Sequence, residues 1–332
     1  MKRREFVKVC GSSLAAAAAA GMPGLGRAQD KMVWKASDVH PLGYPTVEAI
    51  QRMGKKLETS TNGRISIQMF PSMQLGGEKE MIEQAQVGAL QIARISVGAM
   101  GPVVDDLNVF NMPFIFRDEA HMRKVIDGPI GQDLLDRVSN APTSRLIVLG
   151  WMDAGTRNVY CDRPVTKPAD LKGMKIRTMG NPIFVETMNA MGGNGVAMGF
   201  NELYQAMQTG VVDGAENNEP SYESGQHYRY AKYYSKTGHL IIPEILVYSK
   251  KSWETLSKDD QALILKLAKE TQQEQRKLWY EMEQKSLEKM KAAGVEINDV
   301  DDKNAFAAAV RPVWNKYGAQ QQALIQRIQD VK

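Results

Sequence analysis

The sequence predicts two α/β lobes joined by strands and overlaid by a long C-terminal helix. Three observations carry this prediction. Strand and helix patterns alternate through the first hundred residues and again between residues 145 and 208, the signature of sheets covered by helices. About 304 residues follow the predicted export signal, a length that commonly divides into two domains. A helical pattern of more than thirty residues begins near Lys258, long enough at 1.5 Å per residue to span roughly 50 Å and reach across both lobes.

The elements follow in order. Met32–Ser37 reads as a strand, ended by the turn His40-Pro41-Leu42-Gly43. Val47, Ile50, Met53 and Leu57 mark a helix over 46–60, stopped by Asn62-Gly63. Residues 64–70 alternate as a second strand. After Pro71 and Gly76-Gly77 come a helix at 78–87 and a strand near 90–97. Strands at 145–151 and 156–160 flank Asp153-Ala154-Gly155, which is placed to carry the chain between lobes. Short strands at 175–177 and 193–197 alternate with helices at 182–190 and 201–208. The apolar run 241–249 is a strand candidate interrupted by Pro243, which belongs at an edge or a strand entrance. Ser257 and Asp260 form a capping-box pattern for the long helix, with Ile264, Leu267, Ala268, Leu278, Met282 and Leu287 as its packed stripe and Gly294 as its stop. These crossings divide the chain into an export signal at 1–28, a first lobe mainly at 29–152, a second mainly at 153–245, and crossover strands with C-terminal helices at 246–332.

Composition narrows the class of function. Lys2, Arg3, Arg4 and Lys8 head an uncharged stretch from Val9 to Met22, and Gly26-Arg27-Ala28 resembles a signal-peptidase site, so the mature chain is expected to start near Gln29. The paired arginines resemble a twin-arginine signal, and Cys10 lies at the head of the uncharged stretch instead of ending it, which argues against a lipoprotein anchor. The whole chain has 42 Lys plus Arg against 38 Asp plus Glu. Removing the five bases and one acid of residues 1–28 leaves 37 of each, so the basic balance is an address label and no argument for nucleic acid. Cys161 is the only cysteine after residue 28, so an internal disulfide is excluded, and a small buried hydrophobe is its expected role. The four histidines, His40, His121, His227 and His239, are scattered without metal spacing, and no ordered nucleophile and base pair stands out. No cofactor or metal is expected, and an enzyme is the weaker alternative. Asp105-Asp106 reads as solvated turn chemistry.

Two arginines stand out for binding. Arg157 and Arg177 lie at strand boundaries beside Gly155 and Gly173, where a guanidinium can reach an interlobe cleft and grip a carboxylate with two parallel hydrogen bonds. The residues alone leave each of them open between ligand anchor and structural ion pair. Arg94, inside the run QIARISV at 91–97, occupies a position where a buried strand ordinarily carries an apolar residue.

The segments PSMQLGGEKEMIEQAQVGAL (71–90), NVFNMPFIF (108–116), Gly155-Thr156-Arg157, LKGMKIR (171–177), FNELYQAMQTGVVDGAEN (200–217) and SWETLSKDDQ (252–261) together resemble the solute-binding subunits of tripartite ATP-independent periplasmic (TRAP) transporters, of the dicarboxylate-binding-protein type. The resemblance covers residues 31–330. It implies the two-lobed periplasmic binding protein fold, a periplasmic location, and closure on a small organic acid that is delivered to TRAP membrane permease subunits, without the chain itself entering the membrane. It further implies that Arg177 pairs with the ligand carboxylate, that Arg157 is a second pocket arginine with Asn217 opposite and Glu216 in contact, and that Phe200 is a pocket aromatic. His239 is placed in or just behind the pocket, and Glu78 and His40 are placed to meet ligand hydroxyls. Some members that sense acidic sugars have an acid near the region where this chain has Arg94 and Ser96, which points away from sialic acid and toward a smaller sugar acid or hydroxy acid. The opening ASDVHPLGYPTVEA (36–49) is similar to that of uronate-binding members. A hexuronate, D-glucuronate or D-galacturonate, is therefore the expected ligand, with a C4-dicarboxylate or other hydroxy acid as the alternative if Arg94 receives a second carboxylate.

Overall fold

The computed structural model describes residues 31–332, and the export-signal reading of residues 1–28 lies outside them. In chain order the strands are β1 (Met32–Ser37), β2 (Ile65–Phe70), β3 (Ile92–Ser96), β4 (Leu146–Met152), β5 (Thr156–Cys161), β6 (Lys175–Thr178), β7 (Asn194–Ala197), β8 (Gly214–Asn217), β9 (Tyr233–Ile241), β10 (Glu244–Ser249) and β11 (Glu296–Asp299). They form two sheets, ordered β2-β1-β3-β10-β4 and β11-β9-β5-β8-β6-β7, one in each of two α/β lobes. In the first, β1 runs parallel to β2 and β3, and β10 is inserted antiparallel between β3 and β4. In the second, β6 is parallel to β7 and β8, while β5 runs antiparallel to β8 and β9.

The crossings follow from local chemistry. After β4 the chain passes through Asp153–Gly155 into the second sheet, with Gly155 in the left-handed region at φ 65°. A side chain there would also collide, because an added Cβ would lie 2.7 Å from Glu283 Oε1 and 3.0 Å from the Trp279 ring. The single strand expected over 241–249 is two elements. Proline has no N–H for a ladder, so β9 ends at Ile241, Ile242–Pro243 bridge the lobes, and β10 starts at Glu244. Pro243 thus stands at a strand entrance, although β10 itself is an interior strand. The return to the first lobe falls there and not after residue 245.

The helix Lys258–Ala292 is 35 residues long and spans both lobes. Its first turns pack on the helix Pro45–Ser60 and on β4, and its later turns on the helix Glu219–Ser224. Half of the expected capping box is present. Ser257 Oγ accepts from Asp260 N at 3.1 Å, but the Asp260 carboxylate turns to Arg64. The buried stripe also differs from the apolar one. It runs through Ile264, Leu267 and Ala268, then Thr271, Gln275, Trp279, Ser286 and Met290, leaving Leu278, Met282 and Leu287 partly exposed. Polar residues are buried there because the helix passes over the interlobe crossing, whose backbone needs partners. Gln275 Oε1 accepts from Asp153 N at 2.9 Å and its Nε2 donates to Asp153 O at 2.8 Å.

Between β3 and β4 the chain adds a 3-10 turn, Asp105–Asn111, and helices Glu119–Asp127 and Pro129–Asn140. Asp105 accepts from Asn108 and Asp106 pairs with Arg137 at the surface, as turn residues do. Cys161 is buried and free, and burial pushes its thiol up to about 11, so it behaves as an inert small side chain. Among the described residues no helix is long and apolar enough to cross a membrane.

Candidate functional site

The cleft between the lobes forms where strands of both sheets end. β1 and β3 run parallel, so their carboxyl ends, with Asp38–His40 beyond β1 and Ser96 at the end of β3, open on one side of the first lobe. Alternation along β3 puts Arg94 and Ser96 on one face, and the antiparallel register sets Glu244 of β10 opposite Ser96. In the second lobe β8 lies between β5 and β6, so Glu216 and Asn217 sit between Arg157 and Arg177. A register shift between Arg157 and Val159 marks a bulge, a device that re-aims a strand side chain. The resulting cleft is lined by Val39, His40, Glu78, Arg94, Ser96, Arg157, Arg177, Met179, Phe200, Asn217, Ser221 and Glu244. A larger groove leads outward from it, sharing Glu78, Arg177, Met179 and Phe200.

The three arginines have different duties. Arg94 is 1% exposed and saturated. Its Nε and Nη2 donate to Asp38 Oδ1 at 3.1 and 2.6 Å, and its Nη1 donates to Glu78 Oε1 at 2.7 Å and lies 2.9 Å from Glu244 Oε2. Three protein acids already hold Arg94, a geometry that leaves little of its charge for a second ligand carboxylate. Burial opposes a charge on Asp38, but Arg94 and His40 outweigh it and keep the carboxyl well below its usual range. Arg157 is committed likewise. It donates from Nε and Nη2 to the two Glu216 carboxylate oxygens at 2.6 and 2.8 Å, and from Nη1 to Asn217 Oδ1 at 2.9 Å. Burial works against ionising Glu216, and the attraction of Arg157 overcomes it, holding the acid at about 2.

Arg177 is the exception. It is 2% exposed, its Nε donates to Met198 O at 2.9 Å, and among the described residues no carboxylate pairs with it. The Phe200 ring covers one side of its guanidinium at 5.8 Å. Burial lowers its pKa, with Glu216 pulling the other way, yet an arginine stays charged at any physiological pH. A buried positive fork with free Nη groups at a cleft is chemically a receptor for one carboxylate.

The remaining expected residues take several positions. Glu78, first residue of the helix Glu78–Val87, points into the cleft, with Oε1 accepting from Ser96 N at 2.8 Å as well as from Arg94. Ser96 also caps the turn Val97–Met100. His40 stacks on Tyr44 at 3.7 Å, with Nδ1 2.9 Å from Asp38 Oδ1 and Nε2 3.2 Å from Ser221 Oγ. Burial and then Arg94 lower its pKa, so the ring is neutral. His239 does not line the cleft. It lies behind Glu216, Nε2 to Oε2 at 3.6 Å, with Nδ1 2.8 Å from Thr237 Oγ1. Asp38, Glu244, Ser221 and Tyr44 also belong to the cleft or its immediate support, beyond the residues expected from the sequence. Glu244 carried a readable signal, a lone acid in an otherwise apolar run.

The lobes meet on both sides of the cleft. Ser221 of the second lobe lies 2.9 Å from Tyr44 Oη and within reach of His40, and Asn181 Nδ2 donates to Gly98 O at 2.9 Å. This is a closed arrangement, and likeness to solved structures agrees with it. A glucuronate-bound TRAP periplasmic solute-binding protein from Pseudomonas putida F1 is 53% identical, with a TM-score of 0.89 over 91% of this chain and 98% of that one. The Citrobacter koseri protein with bound D-glucuronate is 50% identical, with TM-score 0.89 over 91% of this chain and all of that one. Its apo, open form gives only 0.79, at 48% identity over 90% and 98% of the two chains. A Bradyrhizobium protein in complex with D-galacturonate is 44% identical, with TM-score 0.86 over 90% and 99%. Residues 36–321 match the model of the bacterial extracellular solute-binding proteins, family 7. With its paired sheets, its long overlying helix and an interlobe cleft centred on one free arginine, the chain belongs to this family, as a periplasmic solute-binding subunit of a TRAP transporter.

Proposed function

We propose that this protein captures a hexuronate, D-glucuronate or D-galacturonate, and presents it unchanged to the TRAP membrane permease subunits. The observation that carries the reading is the division of labour among the arginines. Arg94 and Arg157 are neutralised by protein carboxylates, and Arg177 alone has its Nη groups free. That is provision for one carboxylate and not two. The rest of the wall offers polar groups that can meet sugar hydroxyls, namely Glu78, Glu244, Asn217 and Ser221. A sugar acid has one carboxylate and several hydroxyls. A C4-dicarboxylate would set its second charge among acids already present, a repulsion of about 4 kcal/mol per like pair at 4 Å and an effective dielectric of 20.

Solved relatives support the same ligand class, since the P. putida and C. koseri proteins hold D-glucuronate and the Bradyrhizobium protein D-galacturonate. Ligand contact with both walls favours the closed form and shifts the population toward it. The test is a calorimetric screen of residues 29–332 against glucuronate, galacturonate, succinate, malate and sialic acid, with the ligand recovered and checked by NMR. Uronates should bind most tightly and return unaltered. A preference for succinate or malate overturns the ligand class, and conversion of the uronate overturns capture without chemistry.

A further inference from the structure

Glu244 is a buried acid for which capture of a carboxylate gives no obvious use. It opens β10 immediately after the Pro243 crossing and lines the cleft, at 6% exposure. Arg94 Nη1 lies 2.9 Å from its Oε2, yet outside hydrogen-bond geometry, and Oε2 has no hydrogen-bond partner. The guanidinium is spent on its neighbours. Asp38, beyond β1, takes Nε and Nη2, and Glu78, on the helix at 78–87, takes Nη1. Three carboxylates therefore share one guanidinium. Across the whole site four acids, Asp38, Glu78, Glu216 and Glu244, face three arginines, so a monoanionic sugar acid enters a region that already carries one excess negative charge.

That imbalance has a simple chemical remedy. We propose that Glu244 holds the sugar in its protonated form, donating its O–H to a ligand oxygen, so that capture of the acid anion is coupled to uptake of one proton from the solvent. Once protonated, the carboxyl no longer adds to the negative charge that the incoming anion meets. This inference rests on the uronate reading and extends it with a specificity-determining residue.

The surroundings of Glu244 support the proton. Burial raises its pKa to about 7, Glu78 and Asp38 push in the same direction, and Arg94 and more distantly Arg157 pull against them. The other titratable groups beside it are the neutral ring of His40 and the Tyr44 hydroxyl, whose own pKa burial and Glu244 drive far upward. An incoming carboxylate adds another negative charge and pushes the Glu244 pKa higher still. Sign follows directly. A group whose pKa is raised by the ligand makes binding tightest below its free-state value and progressively weaker above it.

Calorimetry of D-glucuronate binding from pH 5.5 to 9, repeated in buffers of different ionisation enthalpy, reads the coupled proton directly. Affinity should be flat below about pH 6 and fall up to tenfold per pH unit above about 8, the slope of a single linked proton. Proton uptake at pH 8 should approach one per glucuronate. Glu244→Gln, checked for folding by circular dichroism, should flatten the pH slope and bring the uptake close to zero. Glu78→Gln, which removes a repelling neighbour, should move the wild-type midpoint to lower pH. Wild-type binding with no proton uptake at any pH overturns the inference whatever the variants do, and so does a folded Glu244→Gln protein that still takes up the proton. If glucuronate and galacturonate fail to bind at every pH, the uronate reading falls and the inference falls with it.

Discussion

Arg177→Ala is the perturbation that separates a ligand anchor from a structural arginine, because the two roles predict opposite effects on stability. As an anchor, Arg177 offers two free Nη groups to a carboxylate in a closed cleft. Hydrogen bonds to charged groups contribute about 1.5–3 kcal/mol each, and truncating one partner of a buried charge pair costs about 2–5 kcal/mol in binding. A loss of about 3–5 kcal/mol is thus expected, which at 1.4 kcal/mol per decade is roughly a 100- to several-thousand-fold rise in the glucuronate Kd. Stability without ligand should behave differently. The guanidinium is buried with Met198 O and the Phe200 ring for company and without an acid, so the ligand-free fold carries its desolvation cost. Removing it should leave the unfolding midpoint of the ligand-free protein unchanged or raised. Arg177→Lys keeps the charge but loses the planar fork and should still weaken binding strongly. Isothermal titration of both variants, with urea unfolding of each in the absence of ligand, makes the comparison. A folded Arg177→Ala protein that binds within tenfold of wild type, or one destabilised without ligand, refutes the reasoning.

Arg94→Ala should do the reverse, because Asp38, Glu78 and Glu244 would be left facing one another without their cation. Breaking a buried pair from one side costs about 3–5 kcal/mol, so urea unfolding of the ligand-free protein should show a loss of that order, and an unchanged midpoint would contradict the saturated geometry. Ser221→Ala removes the hydroxyl shared by His40 and Tyr44 across the lobes, about 1–2 kcal/mol of closed-state preference, so the uronate Kd should rise about 5- to 30-fold with scattering profiles shifted toward the open form; an unaltered Kd excludes that latch. Gly155→Ala puts a side chain at φ 65° against Glu283 and Trp279, and the left-handed cost alone predicts about 1–2 kcal/mol of lost stability by denaturant titration. Glu283 has its pKa raised to about 8, by burial and then by Glu119 and Glu219, while the Trp279 side chain and Arg123 pull against them. The folded protein then binds more protons than the unfolded one, so this stability is full below about pH 4.5 and is lost as pH rises through about 8. The thermal midpoint of Glu283→Gln should fall less than that of wild type between pH 5 and 8.5, and parallel curves would remove Glu283 from the account.

Local patterns made most of the fold readable. Residues 32–100 alternate strands and helices with clear caps, and Pro243 announced its own discontinuity through the missing N–H. The long helix was readable in length but not in orientation. Its buried side is chosen by the Asp153 backbone it must satisfy, which gives Gln275 and not Leu278 the interior position. β8, β9 and β11 carry little periodicity of their own, since Gly214–Asn217 and Glu296–Asp299 take their strand character from neighbours in the sheet. In the site, Arg177, Arg157 and Arg94 were visible as charges where strands prefer apolar residues. Which of them is free depended on Asp38, Glu216 and Glu244, residues whose partners lie 56, 59 and 150 positions away in the chain. Spacing along the sequence holds no record of such pairings.

The same pairings explain how a cleft rich in charge can read one small acid. Fixed ion pairs on Arg94 and Arg157 leave little to reorganise on binding, so their carboxylates stand as oriented acceptors at no further cost in ordering. Arg177, on β6, belongs to the second lobe, whereas Glu78 and Glu244 belong to the first. A simple monocarboxylate can satisfy Arg177 without touching the first lobe, and so binds open and closed forms about equally. Only a ligand that places a carboxylate on Arg177 and hydroxyl groups on the opposite wall has a differential affinity for closure, and that difference is all a ligand has to shift the equilibrium. On the proposed reading, selectivity and closure follow from the same geometry, an anchoring cation on one lobe and hydroxyl-binding groups on the other.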